Sequence, residues 1–422
     1  MNAKQPKRRE NIDAIVKYFE GGVKDEAKAI GIELEHTLVK GDGEPVAYSD
    51  EFGQRWLLEQ LSPEYDSEIR SSAGNLIGLL RKGASITLEP AAQVELSAGP
   101  FVSLEDAKRE FLQFEERLED ELDPHDVQLL TPGYHPTMRA VDLQLIPKRR
   151  YEFMNSYLGA ISMFGICMMR GSAATQVSID YTSIDDCLRK MRLACACVPV
   201  LSLICDNTPV FERDVRPHQL MRTEVWEKCD PDRCMIVPGM MDEGFTLEEY
   251  AEYILDTPAI VEMVDGREEF TEKTFGEIFA DEAMTHDDVE HALSMFFNDV
   301  RLKTYIEIRP ADAMPVECAI AYAALIKGLF YDKASLDAMD DLFRGVGAKD
   351  VAAAKASLMA DGYAGKVYGH AASVVADELV SIARTGLSES DAALLEPIAE
   401  LVANRVTLAD IALEDAEQEE ER

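Results

Sequence analysis

The chain has 422 residues, and 47% of them are hydrophobic, which is enough for a large core in one or two domains. Its 79 acidic residues outnumber its 42 Lys and Arg and give a formal charge of −37. This balance excludes a protein that binds nucleic acid or an anionic membrane through general basicity. The most apolar stretches, 153–169 and 193–205, fall short of the roughly 20 apolar residues of a membrane helix. We therefore expect neither nucleic acid nor a membrane as a partner.

The eight cysteines all lie between Cys167 and Cys318, and several stand in an apolar, helical context. They form no CxxC pair, and no apolar stretch follows the basic N-terminus closely enough for a secretory signal. Free, buried thiols in a reducing compartment are the favoured interpretation. We therefore predict a cytoplasmic protein.

The hydrophobic patterning predicts helices and strands that do not alternate regularly. This order favours an α+β fold with a mostly antiparallel sheet over a doubly wound sheet. The first half is predicted as a helix over 10–22, a strand over 31–39, mostly helix over 50–82, two strand halves over 85–97, a helix over 104–122, a strand over 127–134 and helix over 150–170. The second half is predicted as a strand over 175–181, helices over 184–205, 247–255 and 286–297, a strand over 301–309 and helices from residue 315 onward.

Four of the strand-like segments carry apolar residues on one face and ionisable or amide side chains on the other. Side chains two residues apart on a strand share a face, about 6.6 Å apart along the strand. A single segment of this kind is more often an ordinary amphipathic strand with a solvated face, so the argument depends on the set. The polar faces carry Glu33 and Glu35 in the first segment, Gln93, Glu95 and Ser97 in the second, Gln176 and Ser178 in the third, and Arg301, Lys303, Tyr305, Glu307 and Arg309 in the fourth.

Carboxylates that converge on one sheet face repel one another unless cations lie between them. Hard oxygen ligands select Mg²⁺ or Mn²⁺, and Mg²⁺ commonly shares its ligands with substrate phosphates. The Arg and Lys side chains on the same face suit a phosphate or a substrate carboxylate. The chain has no P-loop, no dinucleotide fingerprint and no GxSxG motif. The residues therefore predict a metal–nucleotide site on an open sheet face.

With these segments the chain resembles the glutamate–cysteine ligases of the plant and proteobacterial type, within the glutamine synthetase-like carboxylate–amine ligase superfamily. The matching motifs follow the family's order from residue 31 to about 330, and the LEPxxQxELS and VRLKxYIEIRxAD patterns are the specific ones. The motifs are GIELE (31–35), ITLEPAAQVELSAGP (86–100), PKRRYEFM (147–154), ATQVSIDYTS (174–183), LMRTEVWEKCDPDR (220–233) and HALSMFFNDVRLKTYIEIRPADAMP (291–315).

The resemblance implies a curved, mostly antiparallel sheet with a polar face that binds metal and ATP, and with helices on its other side. It also implies residue roles. Two or three Mg²⁺ ions, with Mn²⁺ as an alternative, would be held by Glu33, Glu35, Glu89, Glu95 and Glu307. The implied catalytic residues are Arg309 and Glu307, and the implied contacts to ATP or substrate are Arg150, Gln176, Arg222, Lys303 and Arg309.

The implied reaction uses three small molecules: ATP, glutamate and cysteine. The γ-carboxylate of glutamate attacks ATP to form an acyl phosphate, and the amine of cysteine then displaces phosphate. The product is γ-glutamylcysteine, the first intermediate of glutathione-type thiol synthesis. Metal ions and Arg309 would stabilise the developing negative charge. The irregular segment 206–245 would be a lid that protects the acyl phosphate from water.

The chain departs from the family pattern at two places. It has Ala91 and Ala92 where the family usually has two glycines, and segment 168–176 also differs. Both departures concern the amine substrate more than ATP and glutamate. A γ-glutamyl ligase for another amine therefore remains as an alternative. A phosphagen-type kinase and an acidic protein that merely binds cations are two further alternatives, from different functional classes.

The domain organisation follows from the absence of a repeat or a low-complexity linker in the sequence. We predict a single catalytic domain over 1–410, with a sheet-bearing core over about 23–330 and a helical region over about 331–410. An acidic tail over 411–422 is expected to fray. The sequence leaves open whether the protein is a homo-oligomer.

Overall fold

The computed structural model describes residues 5–420 and is built on a nine-stranded antiparallel sheet. The order of strands, numbered along the chain, is β14-β15-β7-β1-β5-β4-β3-β2, and β6 also pairs with β1. The strands of this sheet are β1 (Ile30–Lys40), β2 (Ser67–Arg70), β3 (Leu76–Arg81), β4 (Ala84–Leu88), β5 (Val94–Phe101), β6 (Val127–Leu130), β7 (Ala174–Ile179), β14 (Val300–Leu302) and β15 (Ile306–Asp312).

Shorter strands form two-stranded ribbons around the sheet. The ribbons pair β8 (Val210–Phe211) with β9 (Asp214–Val215), β10 (Cys234–Met235) with β13 (Phe297–Asn298), β11 (Val261–Val264) with β12 (Arg267–Phe270), and β16 (Lys366–Val367) with β17 (His370–Ala371).

Helices make up most of the remaining structure. In the N-terminal half they are α1 (Gln5–Glu20), α2 (Gln54–Leu61), α3 (Leu104–Leu122), α4 (Arg149–Ile161), α5 (Met163–Ile166), a π-helical turn (Cys167–Gly171), α6 (Ile184–Ile204) and α7 (Met221–Glu227). Later helices are α8 (Leu247–Asp256), α9 (Phe275–Ile278), α10 (His286–Leu293), α11 (Val316–Phe330), α12 (Lys333–Leu342), α13 (Ala348–Asp361), α14 (Ala372–Gly386), α15 (Glu389–Leu394), α16 (Glu396–Asn404) and α17 (Leu408–Glu420).

The core lies between the apolar face of the sheet and the helices α3, α6 and α11. On β1, Ile32 and Leu34 are buried in this core, so that the period of two directs Glu33 and Glu35 to the opposite face. Helix α11 is apolar around nearly its whole circumference and is buried accordingly. Among the described residues, no helix combines the length and the apolarity needed to span a membrane.

Several predicted elements are confirmed nearly to the residue, and two are wrong. The strand over 31–39, the helix over 104–122 and the helix over 184–205 are present. The helical prediction for 50–82 is wrong, because only α2 is helical and β2 and β3 follow it. The apolar run in β3 is short enough that periodicity cannot distinguish a strand from a buried helix.

The second wrong element is the single strand predicted over 301–309. It is a hairpin in which β14 pairs with β15, and Arg301 lies opposite Glu307. The polar side chains of both arms nevertheless stay on one side of the sheet, so the predicted polar face survives the change. At the C-terminus, α17 continues to Glu420, while residues 421–422 of the predicted tail and residues 1–4 lie outside the described part of the chain.

The loop between β4 and β5 holds an alanine in a left-handed conformation. Ala92 has a φ of +72° and is 1% exposed, and its N–H donates to the carbonyl of Glu89 at 2.9 Å. L-residues with a side chain pay a steric cost in this region, and β-branched residues pay most. Ala92 is one of the two alanines, with Ala91, that stand where the family usually has glycine.

We predict that Ala92→Val lowers the free energy of unfolding by about 1–2 kcal/mol more than Ala91→Val does. Ala91→Val is the matched control, because it adds the same two methyl groups at the neighbouring residue, which has no positive φ. Urea unfolding of the metal-free proteins, followed by circular dichroism, measures both values. Equal losses for the two variants would show that the backbone at residue 92 is not strained.

Candidate active site

A cavity of about 320 Å³ opens on the polar face of the sheet. Its walls come from strands β1, β5, β7 and the β14–β15 hairpin, and from α4, α7 and the π-helical turn. Glu307 is the one predicted site residue outside the lining, and it is fully buried beside it. The predicted residues that line the cavity are Glu33, Glu35, Glu89, Glu95, Arg150, Gln176, Arg222, Lys303 and Arg309.

Four glutamates form the acidic side of the cavity. Glu35 lies directly across from Glu95 in the pairing of β1 with β5, and Glu33 is two residues away on the same face. Burial, with repulsion from Glu95 and Glu307, raises the pKa of Glu33 to about 8. Burial and the charge of Glu89 raise the pKa of Glu95 to about 7. These carboxyls are therefore poised to exchange a proton for a cation near neutral pH.

Local hydrogen bonds fix two of these carboxylates. Glu95 accepts hydrogen bonds from the hydroxyls of Thr87 at 2.8 Å and Ser97 at 2.9 Å. Glu35 accepts one from the backbone N–H of Ala174 at 3.1 Å. Both carboxylates are thus held in place by the strands rather than by other charged side chains.

The spacing of the glutamates suits ions that are shared with a substrate. Within residues 5–420, the only group of three His, Cys, Asp or Glu residues with ligand atoms all within 4.8 Å of one another is His286, Asp287 and Glu290, which are exposed on helix α10. The cavity glutamates are therefore not a closed, all-protein cage. Mg²⁺ is usually held by one or two carboxylates together with water and substrate phosphates, and the donor set fits that mode.

A cationic cluster faces the glutamates and is organised by Glu307. The Nε of Arg301 lies 2.5 Å from Oε2 of Glu307, and the ammonium of Lys303 lies 2.6 Å from Oε1. Arg309 is 3.5 Å away. Although burial alone would raise it, these three cations hold the pKa of Glu307 well below its usual range. Glu307 thus gathers positive charge on one side of the cavity.

Two arginines present unpaired donors beside the cavity. Arg309 contacts the amide oxygen of Gln176, and Arg222 donates to the carbonyl of Arg309 at 2.9 Å while its guanidinium stacks 3.8 Å from the Trp226 ring. In the described chain, the Nε of Arg222 and of Arg309 are buried without a hydrogen-bond partner. Buried, unsatisfied guanidinium N–H groups are costly unless an anion accepts from them.

The structure adds residues that the sequence argument did not select. Lys148 lines the cavity, where burial lowers its pKa and Glu89 opposes that effect. Arg150 donates to the carbonyl and hydroxyl of Ser294, each at 2.8 Å. Lys148 lies two residues before the predicted Arg150 in the PKRRYEFM motif, and Trp226 lies in the LMRTEVWEKCDPDR motif, so both residues were in matched motifs but were given no role.

Three methionines contribute apolar surface to the cavity. The π-helical turn contributes Met168 and Met169, and α4 contributes Met154. The amide of Gln93 donates to the carbonyl of Ser172 at 2.7 Å and so ties this turn to the loop before β5. A second cavity of about 420 Å³ adjoins the first at Glu33.

Segment 206–245 forms a wall of the cavity through α7. Arg233 is fully buried and pairs with Asp230 at 2.6 Å, and Arg216 pairs with the buried Asp206. Arg216 also pairs with Asp410 of α17, and Arg233 donates to the carbonyl of Pro258 at 2.8 Å, so the chain on both sides of α7 is anchored to the rest of the protein. This anchoring argues against the lid that the sequence predicted for 206–245.

Comparison with known proteins supports the predicted fold and family. The chain is 30% identical to a chloroplastic glutamate–cysteine ligase of Brassica juncea over 81% of its length and 67% of the relative's. It is 28% identical to the Medicago truncatula enzyme over 95% of its own length and 81% of the relative's. A crystal structure of a glutamate–cysteine ligase from Francisella tularensis in complex with AMP superposes with a TM-score of 0.61 at 12% identity, over 94% of this chain and 86% of that one. The predicted fold class is confirmed.

The same relatives correct one prediction. The sequence predicted a cytoplasmic protein, and this prediction is contradicted, because these relatives are named as chloroplastic enzymes. Reduced thiols exclude only an oxidising compartment, so they could not distinguish the two locations.

The family assignment itself depends on the whole chain rather than on one motif. The family model described as glutamate-cysteine ligase family 2 (GCS2) matches residues 29–422. That range contains the acidic side of the cavity, the cationic cluster and the C-terminal helices. The resemblance inferred from the motifs is confirmed: the chain belongs to glutamate-cysteine ligase family 2.

Proposed function

We propose that the cavity holds Mg²⁺, ATP, glutamate and cysteine together, with Glu33, Glu35, Glu89 and Glu95 as the residues that hold two or three ions. The protein is an ATP-dependent glutamate–cysteine ligase that forms γ-glutamylcysteine. The observation that carries the proposal is that one cavity is lined by four glutamate carboxylates and by a group of Arg and Lys side chains. Bound Mg²⁺ would neutralise the phosphates of ATP.

The chain's own side chains have separable roles in this proposal. Arg309 and Arg222, which both line the cavity, bind the transferring phosphoryl group, and Gln176 orients Arg309. Lys303 and the fixed Arg301 add positive charge where negative charge develops, which favours the transition state. Glu307 positions this cluster through its three ion pairs. Arg150 and Lys148 are placed for the carboxylate of an amino-acid substrate.

The two cavities suggest where the substrates lie. The second cavity, with Arg81 and Tyr305 on its walls and Glu33 at the shared boundary, would take the adenosine half of ATP. The part of the wall formed by Met154, Met168 and Met169 would bind the side chain of cysteine, since thioether groups pack well around a polarisable thiol. Glutamate would then lie between them, with its γ-carboxylate near the phosphates.

Incubation with ATP, Mg²⁺ and glutamate, with and without cysteine, tests the reaction through phosphate release and product mass. We expect phosphate release that depends on cysteine and yields γ-glutamylcysteine. Phosphate release with another amine alone would identify a different γ-glutamyl ligase, and amine-independent phosphoryl transfer would favour the phosphagen-type kinase. The relatives favour neither alternative.

We predict that Glu33→Gln lowers kcat at least about 100-fold, because the amide keeps the shape but cannot balance the charge of an ion. Glu68→Gln, at an exposed position of β2 in the same sheet, is the matched control and should retain full activity. Steady-state rates at saturating Mg²⁺ compare them. If Glu33→Gln stays active, then this carboxylate does not hold a required ion.

A second prediction concerns protons. Below the raised pKa values of Glu33 (about 8) and Glu95 (about 7), these carboxyls carry protons in the metal-free protein, and a cation must displace them. Mg²⁺ or Mn²⁺ binding should therefore release protons at pH 6.5, and the apparent affinity should rise between about pH 6 and 8.5. Titration calorimetry in two buffers of different ionisation enthalpy counts the protons. Binding without proton release at pH 6.5 would contradict the prediction.

A further inference from the structure

A buried ion pair outside the cavity links the C-terminal helices to the residue that precedes β14. Lys355, on α13, places its ammonium 2.6 Å from Oδ2 of Asp299, and the two side chains are 3% and 7% exposed. Glu227, on α7, is a second carboxylate at 3.9 Å. Neither Lys355 nor Asp299 lines the cavity, so the pair is one layer removed from the substrates.

Asp299 lies where its backbone controls the orientation of Arg309. It stands between β13 and β14, and its carbonyl accepts a hydrogen bond from the N–H of Arg309 at 3.0 Å. At this point the register of β15 against β7 shifts between Ile308 and Ala311. The hydrogen bond from Arg309 to Asp299 continues the pairing of β14 with β15, while the register shift against β7 forms a bulge on the other edge of β15. Bulges next to active sites redirect a side chain.

Asp299 also bears on the second arginine. Arg222 donates to the carbonyl of Arg309. Burial lowers the pKa of Arg222, and the charges of Asp312, Glu35 and Asp299 oppose that effect. The N–H of Asp299 donates to the carbonyl of Met235 at 3.0 Å, which fixes it to the segment that carries α7. The ion pair therefore touches both elements that present anion-binding arginines.

Stability alone does not account for such a pair. Desolvation of two buried charges often cancels their attraction, and replacement by apolar residues is often neutral. What the pair contributes is one fixed conformation of the chain at Asp299, between β13 and β14. A pair of apolar side chains would not specify that conformation. Because Lys355 belongs to α13, the pair makes the position of Arg309 depend on the C-terminal helices.

We propose that Asp299 and Lys355 are positioning residues that hold the bulge at Arg309, so that its guanidinium meets the transferring phosphoryl group. This proposal rests on the proposed ligase reaction. The pair acts through Arg309 and Arg222 and touches no substrate. It would therefore affect the chemical step more than the binding of cysteine.

The test compares Asp299→Asn, Lys355→Met and the double variant with a control pair. The double variant removes both charges of the pair, so that neither Asp299 nor Lys355 is left as an unpaired buried charge as it would be in the single variants. The control, Lys327→Met with Asp391→Asn, removes an ion pair of 2.8 Å between α11 and α15 that is away from the cavity. Circular dichroism sets a temperature at which every variant is folded, and kcat and each KM are then measured.

We expect the Asp299 and Lys355 variants, including the double variant, to lose about 10- to 100-fold in kcat, with the KM for cysteine unchanged within about twofold. The control pair should lower Tm but leave kcat unchanged. If the Asp299 and Lys355 variants have the same kcat as the control variant, the positioning role is overturned while the ligase reaction stands. A wild-type protein without cysteine-dependent phosphate release would instead refute the reaction, and the positioning role with it.

Discussion

The ion pairs of Glu307 are the interaction on which the arrangement of the cavity depends. Arg301, Lys303 and Arg309 would repel one another on one sheet face if no carboxylate lay among them. Glu307 is fully buried and holds all three, and its position directly opposite Arg301 in the hairpin makes this possible. The positive charge gathered there in turn offsets the repulsion among the four glutamates across the cavity. Each side of the cavity is therefore tolerable only because the other exists.

Burial makes this division of charge functional rather than incidental. At a solvated surface, water would screen the glutamates and their pKa values would stay near the ordinary range. In the cavity, burial and mutual repulsion raise the pKa values of Glu33 and Glu95 into the neutral range, while the cations lower that of Glu307. The same type of side chain thus serves as a proton-exchanging ligand at one wall and as a fixed counter-ion at the other, as its neighbours dictate.

The sequence predicted the polar face correctly because the period of two is a local property of a strand. Glu33 and Glu35 must share a face whatever the rest of the fold does, and burial of Ile32 and Leu34 decides which face it is. The hairpin at 301–309 was not predictable in this way, since its turn at 303–305 has no glycine, proline or asparagine to mark it. Lys148 was missed for a different reason: it lies in the loop before α4, where the sequence has no periodicity that would predict which way the side chain points. The Asp299–Lys355 pair joins residues 56 positions apart, and sequence patterns carry no such contact.

The loop that carries Glu89 shows how the fold accommodates a departure from the glycine pattern. Ala92 adopts a positive φ, yet the backbone around it is bonded on three sides: Ala92 to Glu89, Glu89 to Gln93 at 3.0 Å, and Ile146 to Pro90 at 3.0 Å. A strained residue persists when its surroundings fix the conformation more strongly than the residue resists it. The same hydrogen bonds place Glu89 at the cavity wall, so the geometry that the alanine opposes is also the geometry that the glutamate requires. The backbone of this loop, rather than the identity of residue 92, therefore sets the position of the carboxylate.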